Sequence, residues 1–176
     1  MPEGFWSVKK YSYPFLFSAT IAFLGLVYGV MWWHREVYRI TFLSVSTTRY
    51  MIVAAMILAL FISIYAIGRG AVKSNKHIDY LKFYGGACIV LFFVFAMALI
   101  TMTYLLPGPV VTYTAAYSYA EGSRKSCSGA DVDDPDLGTN IRICHPAGNY
   151  AFDNEIFVEK RNNALGSVVM YAMTSP

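Results

Sequence analysis

The chain has 176 residues, of which 56% are hydrophobic and only 14% charged, against roughly 45–50% and 25% in an average soluble domain. This composition excludes a disordered chain and argues against an ordinary soluble enzyme. Residues 1–105 hold nine basic and three acidic residues and residues 106–176 hold five and eight. The basic residues lie in short segments between apolar stretches rather than on one concentrated face, which argues against nucleic-acid binding.

Crossing a bilayer core takes about 20 apolar residues in a helix. Three stretches without a charge or a histidine meet that length: 15–33, 51–67 and 84–106. The expected fold class is therefore a membrane all-α region of three helices within 15–106. It is preceded by an N-terminal segment, 1–14, and followed by a small β-rich tail, 107–176. The first stretch is too long for a signal-peptide core and ends in bulky Trp32-Trp33-His34-Arg35, so it is read as a retained helix. Lys9, Lys10, Arg69, Lys73, Lys76 and Lys82 flank one side of the spans, and Arg35, Arg39 and Arg49 the other. Six basic residues against three predict a cytoplasmic, matrix or stromal N terminus and an extracytoplasmic tail, with the membrane unspecified.

In the second and first spans, Ala55 and Ala59, and Gly25 and Gly29, have small-xxx-small spacing, a helix-packing signal. Arg69, Lys73, Lys76 and Lys82 form a juxtamembrane basic cluster suited to anionic lipid headgroups. No ionisable group lies inside a span, which speaks against an ion-coupled pump or transporter.

Leu106-Pro107-Gly108-Pro109 ends the third helix, since proline cannot donate to the helical ladder and disfavours helix at its predecessor. Beyond it, the alternation around Val111, Tyr113 and Ala115 predicts a strand, as do Ile141–Cys144 and Ile156–Lys160. The Ser-, Gly-, Asp- and Pro-rich stretch 123–140 reads as a long loop. Cys127 and Cys144, 17 positions apart, are expected to close it with a disulfide in an oxidising compartment, whereas Cys88 reads as a buried small hydrophobe.

Asp131, Asp133, Asp134 and Asp136 are the weak calcium candidate. Counted from Asp131, the EF-hand positions 5, 6 and 12 are Pro135, Asp136 and Arg142, so that template fails. His34 and His145 are the candidates for a metal or haem, without a recurring ligand spacing. No phosphate loop, nucleophile elbow or zinc-protease helix occurs, and no catalytic residue is assigned. Leu165–Pro176 reads as a strand, an interfacial segment or the opening of a fourth span. In that last case the hydropathy alone, with no residue motif, resembles four-span proteins of the synaptophysin and occludin type.

The function expected from these features is that of a non-catalytic membrane accessory subunit in a larger complex. Its partners would be other membrane subunits and lipids, with no resident cofactor. Tyr113, Tyr117, Tyr119, Tyr150, Phe152 and Phe157 are the expected docking residues, because aromatic side chains are enriched in interface cores. A self-assembling scaffold or channel-like homo-oligomer is the alternative, followed by a metal- or haem-bearing oxidoreductase subunit.

Overall fold

A computed structural model describes residues 13–70, 77–124 and 126–176. The chain divides into two compact units, Met1–Glu36 and Val37–Pro176. The first holds helix α1, Tyr13–Glu36, which is apolar around its circumference and buries none of its side chains.

The second unit begins with a 3-10 turn, Tyr38–Ile40, and a short strand β1, Thr41–Leu43. Helix α2 follows at Val45–Gly68 and α3 at His77–Leu105. Ser44 starts α2 because its extended backbone lets its hydroxyl accept from Thr47 N–H, replacing a bond the first helical turn lacks. With 24 and 29 residues, these helices run about 36 and 44 Å at 1.5 Å per residue, enough for a hydrocarbon core of about 30 Å. All three helices are long and apolar enough to cross a membrane. Met51, Ala55, Ala59 and Ser63 are the buried residues of α2. Their spacing of four forms one stripe, and α2 packs on α3. Small side chains on that stripe allow the close backbone approach that packing in lipid relies on.

Five strands follow: β2 Val110–Ala120, β3 Gly129–Asp134, β4 Thr139–Cys144, β5 Glu155–Asn162 and β6 Gly166–Ser175. With β1 they form a six-stranded sheet in the order β1-β6-β5-β2-β3-β4, antiparallel throughout. Because β4 comes up against the 3-10 turn leading into β1, the sheet curls into a near-barrel. Ala130, Val132, Leu137, Ile141, Ile143, Ile156, Val158, Val169 and Ala172 fill its interior.

One expectation changes here, and of the three alternatives for Leu165–Pro176 the strand is the one found. The stretch 123–140 is not one long loop, because it contains β3. Ala130 and Val132 face the core while Asp131 and Asp133 face outward, a period-two pattern that the Asp-rich composition conceals. Leu165–Pro176 contains β6, a strand seated between β1 and β5.

The β5–β6 hairpin ties the sheet to α3. Arg161 Nη2 donates to Tyr104 O at 2.5 Å and Asn163 Nδ2 to Thr103 O at 2.9 Å. These bonds satisfy two of the carbonyls that a helix C-terminus leaves open, and Arg161 also complements the helix dipole. Gly108 is required in the linker, since a Cβ there would lie 1.7 Å from Asn162 O.

The segment between α1 and α2 joins the tail through β1, whose Thr41, Phe42 and Leu43 pair with Val168, Ser167 and Gly166. At Gly166 a Cβ would stand 2.1 Å from Phe42 O. Gly166→Ala is therefore expected to cost about 1–3 kcal/mol through overpacking and to part β1 from β6. Faster amide exchange confined to Thr41–Leu43 and Gly166–Val168 is the expected readout; unchanged exchange there would show that the contact yields without strain.

Candidate functional site

The β5 run Ile156-Phe157-Val158-Glu159-Lys160 alternates in facing, and its inward positions are Ile156, Val158 and Lys160, each with no residual exposure. Strand periodicity thus carries a lysine into the core. On β3 the same alternation places Asp134 inward after Ala130 and Val132. The two meet: Lys160 Nζ lies 2.5 Å from Asp134 Oδ1, and both side chains have 0% exposure. Asp136 approaches from the β3–β4 turn, its Oδ2 2.8 Å from the same nitrogen and its side chain 48% exposed.

Between β3 and β5 runs β2, whose Tyr113 ring underlies the ammonium at 4.8 Å. Its hydroxyl donates to Asp134 Oδ2 at 3.4 Å. Asp134 Oδ1 also accepts the backbone N–H groups of Asp136 and Leu137 at 2.9 and 3.0 Å. Asn162 Nδ2 donates to Asp136 Oδ2 at 2.7 Å. Each buried charge is therefore paired and hydrogen-bonded, the condition under which burial of ions is tolerated. The hydrogen bonds from Lys160 and Asn162 hold the Asp136 carboxyl below its usual range. Burial, reinforced by the Asp134 and Asp136 carboxylates, pushes the Tyr113 phenol upward, so it stays protonated and donates.

The four aspartates of the calcium candidate are dispersed among other partners. Asp131 forms a two-pronged ion pair with Arg142, 2.7 Å at each contact, on the outside of the β3–β4 ladder. Asp133 accepts from Asn140. Asp134 and Asp136 converge, and Lys160 supplies the cation between them. Among the described residues no group of three or more His, Cys, Asp or Glu is placed to hold a metal ion.

Cys127 and Cys144 are joined in a disulfide with Cα atoms 5.6 Å apart, linking the entry of β3 to the end of β4. Cys88 is a half-buried free thiol in α3. Next to the disulfide, His145 has φ of +48°; its Nδ1 lies 3.4 Å from Ser128 Oγ and its ring edge-on to Tyr150. His34 belongs to α1 and is exposed.

The six aromatic residues expected to dock a partner divide by facing. Tyr113 and Tyr117 point inward against the core, and Tyr117 Oη donates to Tyr150 O, so these two serve the interior. Tyr119 and Tyr150 stack at 6.2 Å, Tyr119 exposed at the far end of β2 and Tyr150 half-buried. Phe152 is 81% exposed, and Phe157 is half-buried. Composition did not single out Met170, Tyr171 and Met173, exposed on β6. A register shift between Glu159 and Lys160 leaves Met170 without a cross-strand partner.

In the basic cluster, Arg69 stacks over the Tyr65 ring at 5.1 Å and Lys82 lies 3.9 Å from Asp79. Lys73 and Lys76 lie outside the described residues. Ala55 and Ala59 are buried on α2, whereas a Cβ added at Gly25 or Gly29 would meet nothing within 4 Å. Ser44, Tyr50, Phe95, Met102 and Leu165 help line an apolar cavity of about 530 Å³ between α2, α3 and the β5–β6 turn.

The class defined by these features is a chain with three candidate membrane spans, a disulfide and a six-stranded antiparallel near-barrel. Comparison with known proteins finds no matching family model, no matching curated protein and no matching solved structure.

Proposed function

We propose that the chain is a non-catalytic integral membrane subunit whose near-barrel docks on partner proteins on the extracytoplasmic side. The observation that carries this reading is the exposed apolar outer surface of the sheet. On β6, Met170, Tyr171 and Met173 all stand 42% exposed or more, although they lie outside the candidate spans, and Phe152 in the β4–β5 connection is 81% exposed. Apolar side chains gathered on a surface mark interaction sites when they form a contiguous patch. Within the polar cluster Lys160 and Asp134 are cut off from the surface, and Asp136 is the member that reaches it.

Orientation rests on the basic count, six against three, and is supported by the disulfide, since such bonds persist in oxidising compartments. The helices supply packing surface and lipid contacts, with Arg69 and Lys82 near the headgroups. Calcium and haem have no role in this reading.

One observation favours a second reading, a self-assembling scaffold. Gly25 and Gly29 stand four residues apart on α1, the spacing of a seam that receives a second copy. The native mass of the untagged protein in mild detergent, with mass spectrometry of what comigrates, separates the two. Stoichiometric unrelated proteins are expected. A species built only of multiples of the 19.7 kDa chain, collapsing to one copy in Gly25→Leu/Gly29→Leu, would replace the accessory-subunit reading with the scaffold.

A further inference from the structure

The Lys160 cluster holds the parts of an intramolecular condensation. We propose that Lys160 Nζ and Asp134 Cγ join in an amide bond with release of water, stapling β5 to β3 across β2.

Both side chains are fully withdrawn from water, which keeps bulk water from reversing a condensation between them. In the condensation the first ammonium proton passes to the Asp134 carboxyl and comes to rest on Oδ2, leaving Nζ as an amine 2.5 Å from Oδ1. Fixing two reactants in this way gives effective concentrations that no bimolecular reaction attains. Asp136 Oδ2, 2.8 Å from Nζ, is the proton carrier, and its position in the turn keeps it in reach of solvent.

The nitrogen lone pair attacks Cγ, and negative charge develops on Oδ1. The N–H groups of Asp136 and Leu137 already point at this oxygen and stabilise the charge, as preorganised donors do in acyl transfer. Asp136 takes the second proton from nitrogen and delivers it to Oδ2, to which Tyr113 Oη also donates. The C–Oδ2 bond breaks and water departs. One ammonium and one carboxylate become one amide and one water, so charge and atoms balance, Asp136 is regenerated, and no oxidant or activating reagent takes part.

The bond would serve this fold in a definite way. Hydrogen bonds hold the strands in sequence from β1 to β4, and the disulfide ties the β3 entry to β4. The amide adds a covalent tie from β3 over Tyr113 to β5, the strand whose end grips α3. A pull on the outer strands is then carried to the membrane end of the sheet through covalent bonds.

Intact mass of the full-length protein purified in detergent, after disulfide reduction, decides the matter. Wild type is expected to be lighter than its sequence by one water, and Lys160→Arg to show the full mass of its own sequence. Trypsin should leave wild type uncut after Lys160 and yield a branched peptide joining Lys160 to Asp134. Asp136→Asn, with its disulfide formed and its β-sheet circular dichroism intact, is expected to remain unlinked. Wild type at full mass with normal cleavage after Lys160 overturns the proposal and leaves an ordinary buried ion pair. A branch mapping to Asp136, or full linkage in Asp136→Asn, overturns the assigned roles of the two aspartates.

Discussion

Asp134→Ala is expected to destabilise the sheet by about 3–5 kcal/mol, because the variant leaves Lys160 charged and buried without its main partner. Lys160 has no exposure and cannot turn to water, so the loss strands it with Asp136 alone. The substitution also removes the acceptor of the Asp136 and Leu137 N–H groups. Asp133→Ala is the control on the same strand. Asp133 is exposed and accepts a hydrogen bond from Asn140, and surface changes of that kind stay within about 0.5 kcal/mol. Denaturant midpoints in detergent, followed by tyrosine circular dichroism, measure the difference. Equal midpoints for the two variants would show that the interior pair carries no stability. Lys160→Met combined with Asp134→Leu sharpens the test, because apolar residues of similar volume often replace a buried ion pair without loss. Recovery in the double variant assigns the cost to the stranded charge.

Cys127→Ser with Cys144→Ser is expected to lower stability by about 3 kcal/mol, the loop-entropy estimate for a closed loop of this size. The bridge spans 17 positions and encloses β3, Asp134 and Asp136. Its loss should loosen the tail's outer strands and reduce the fraction of protein that comigrates with partners. Membrane insertion should be unaffected, because it depends on the uncharged helical stretches. Resistance to alkaline extraction measures insertion, and native gel migration measures assembly. Unchanged assembly and an unchanged midpoint would remove the disulfide from the account of docking.

Local pattern is legible wherever one residue's neighbours in sequence determine its surroundings. The spans stand out because each uncharged run is long enough on its own to be a helix that lipid tolerates all round. Strands β2, β4 and β5 could be read from alternation, and the Cys127–Cys144 pairing from cysteine positions alone. Strand β3 was missed because its outward Asp131 and Asp133 dominate the composition. The three residues of β1 are too few to carry a period, and they pair with β6 more than 120 positions away. Lys160 is hidden from composition for a related reason: lysine on a short strand ordinarily faces water, yet the Ile156 and Val158 rhythm points it inward.

The sequence by itself determined that the chain has three stretches able to cross a membrane, a β-rich tail and a cysteine pair suited to a bridge. These properties follow from length, hydropathy and period, which are local quantities. Only the tertiary structure decided that the α1–α2 segment completes the tail's sheet, that the aspartates part company, and that Lys160 meets Asp134 over Tyr113. Each of these depends on strand register, and register is set by which residues must share the interior once all six strands are paired.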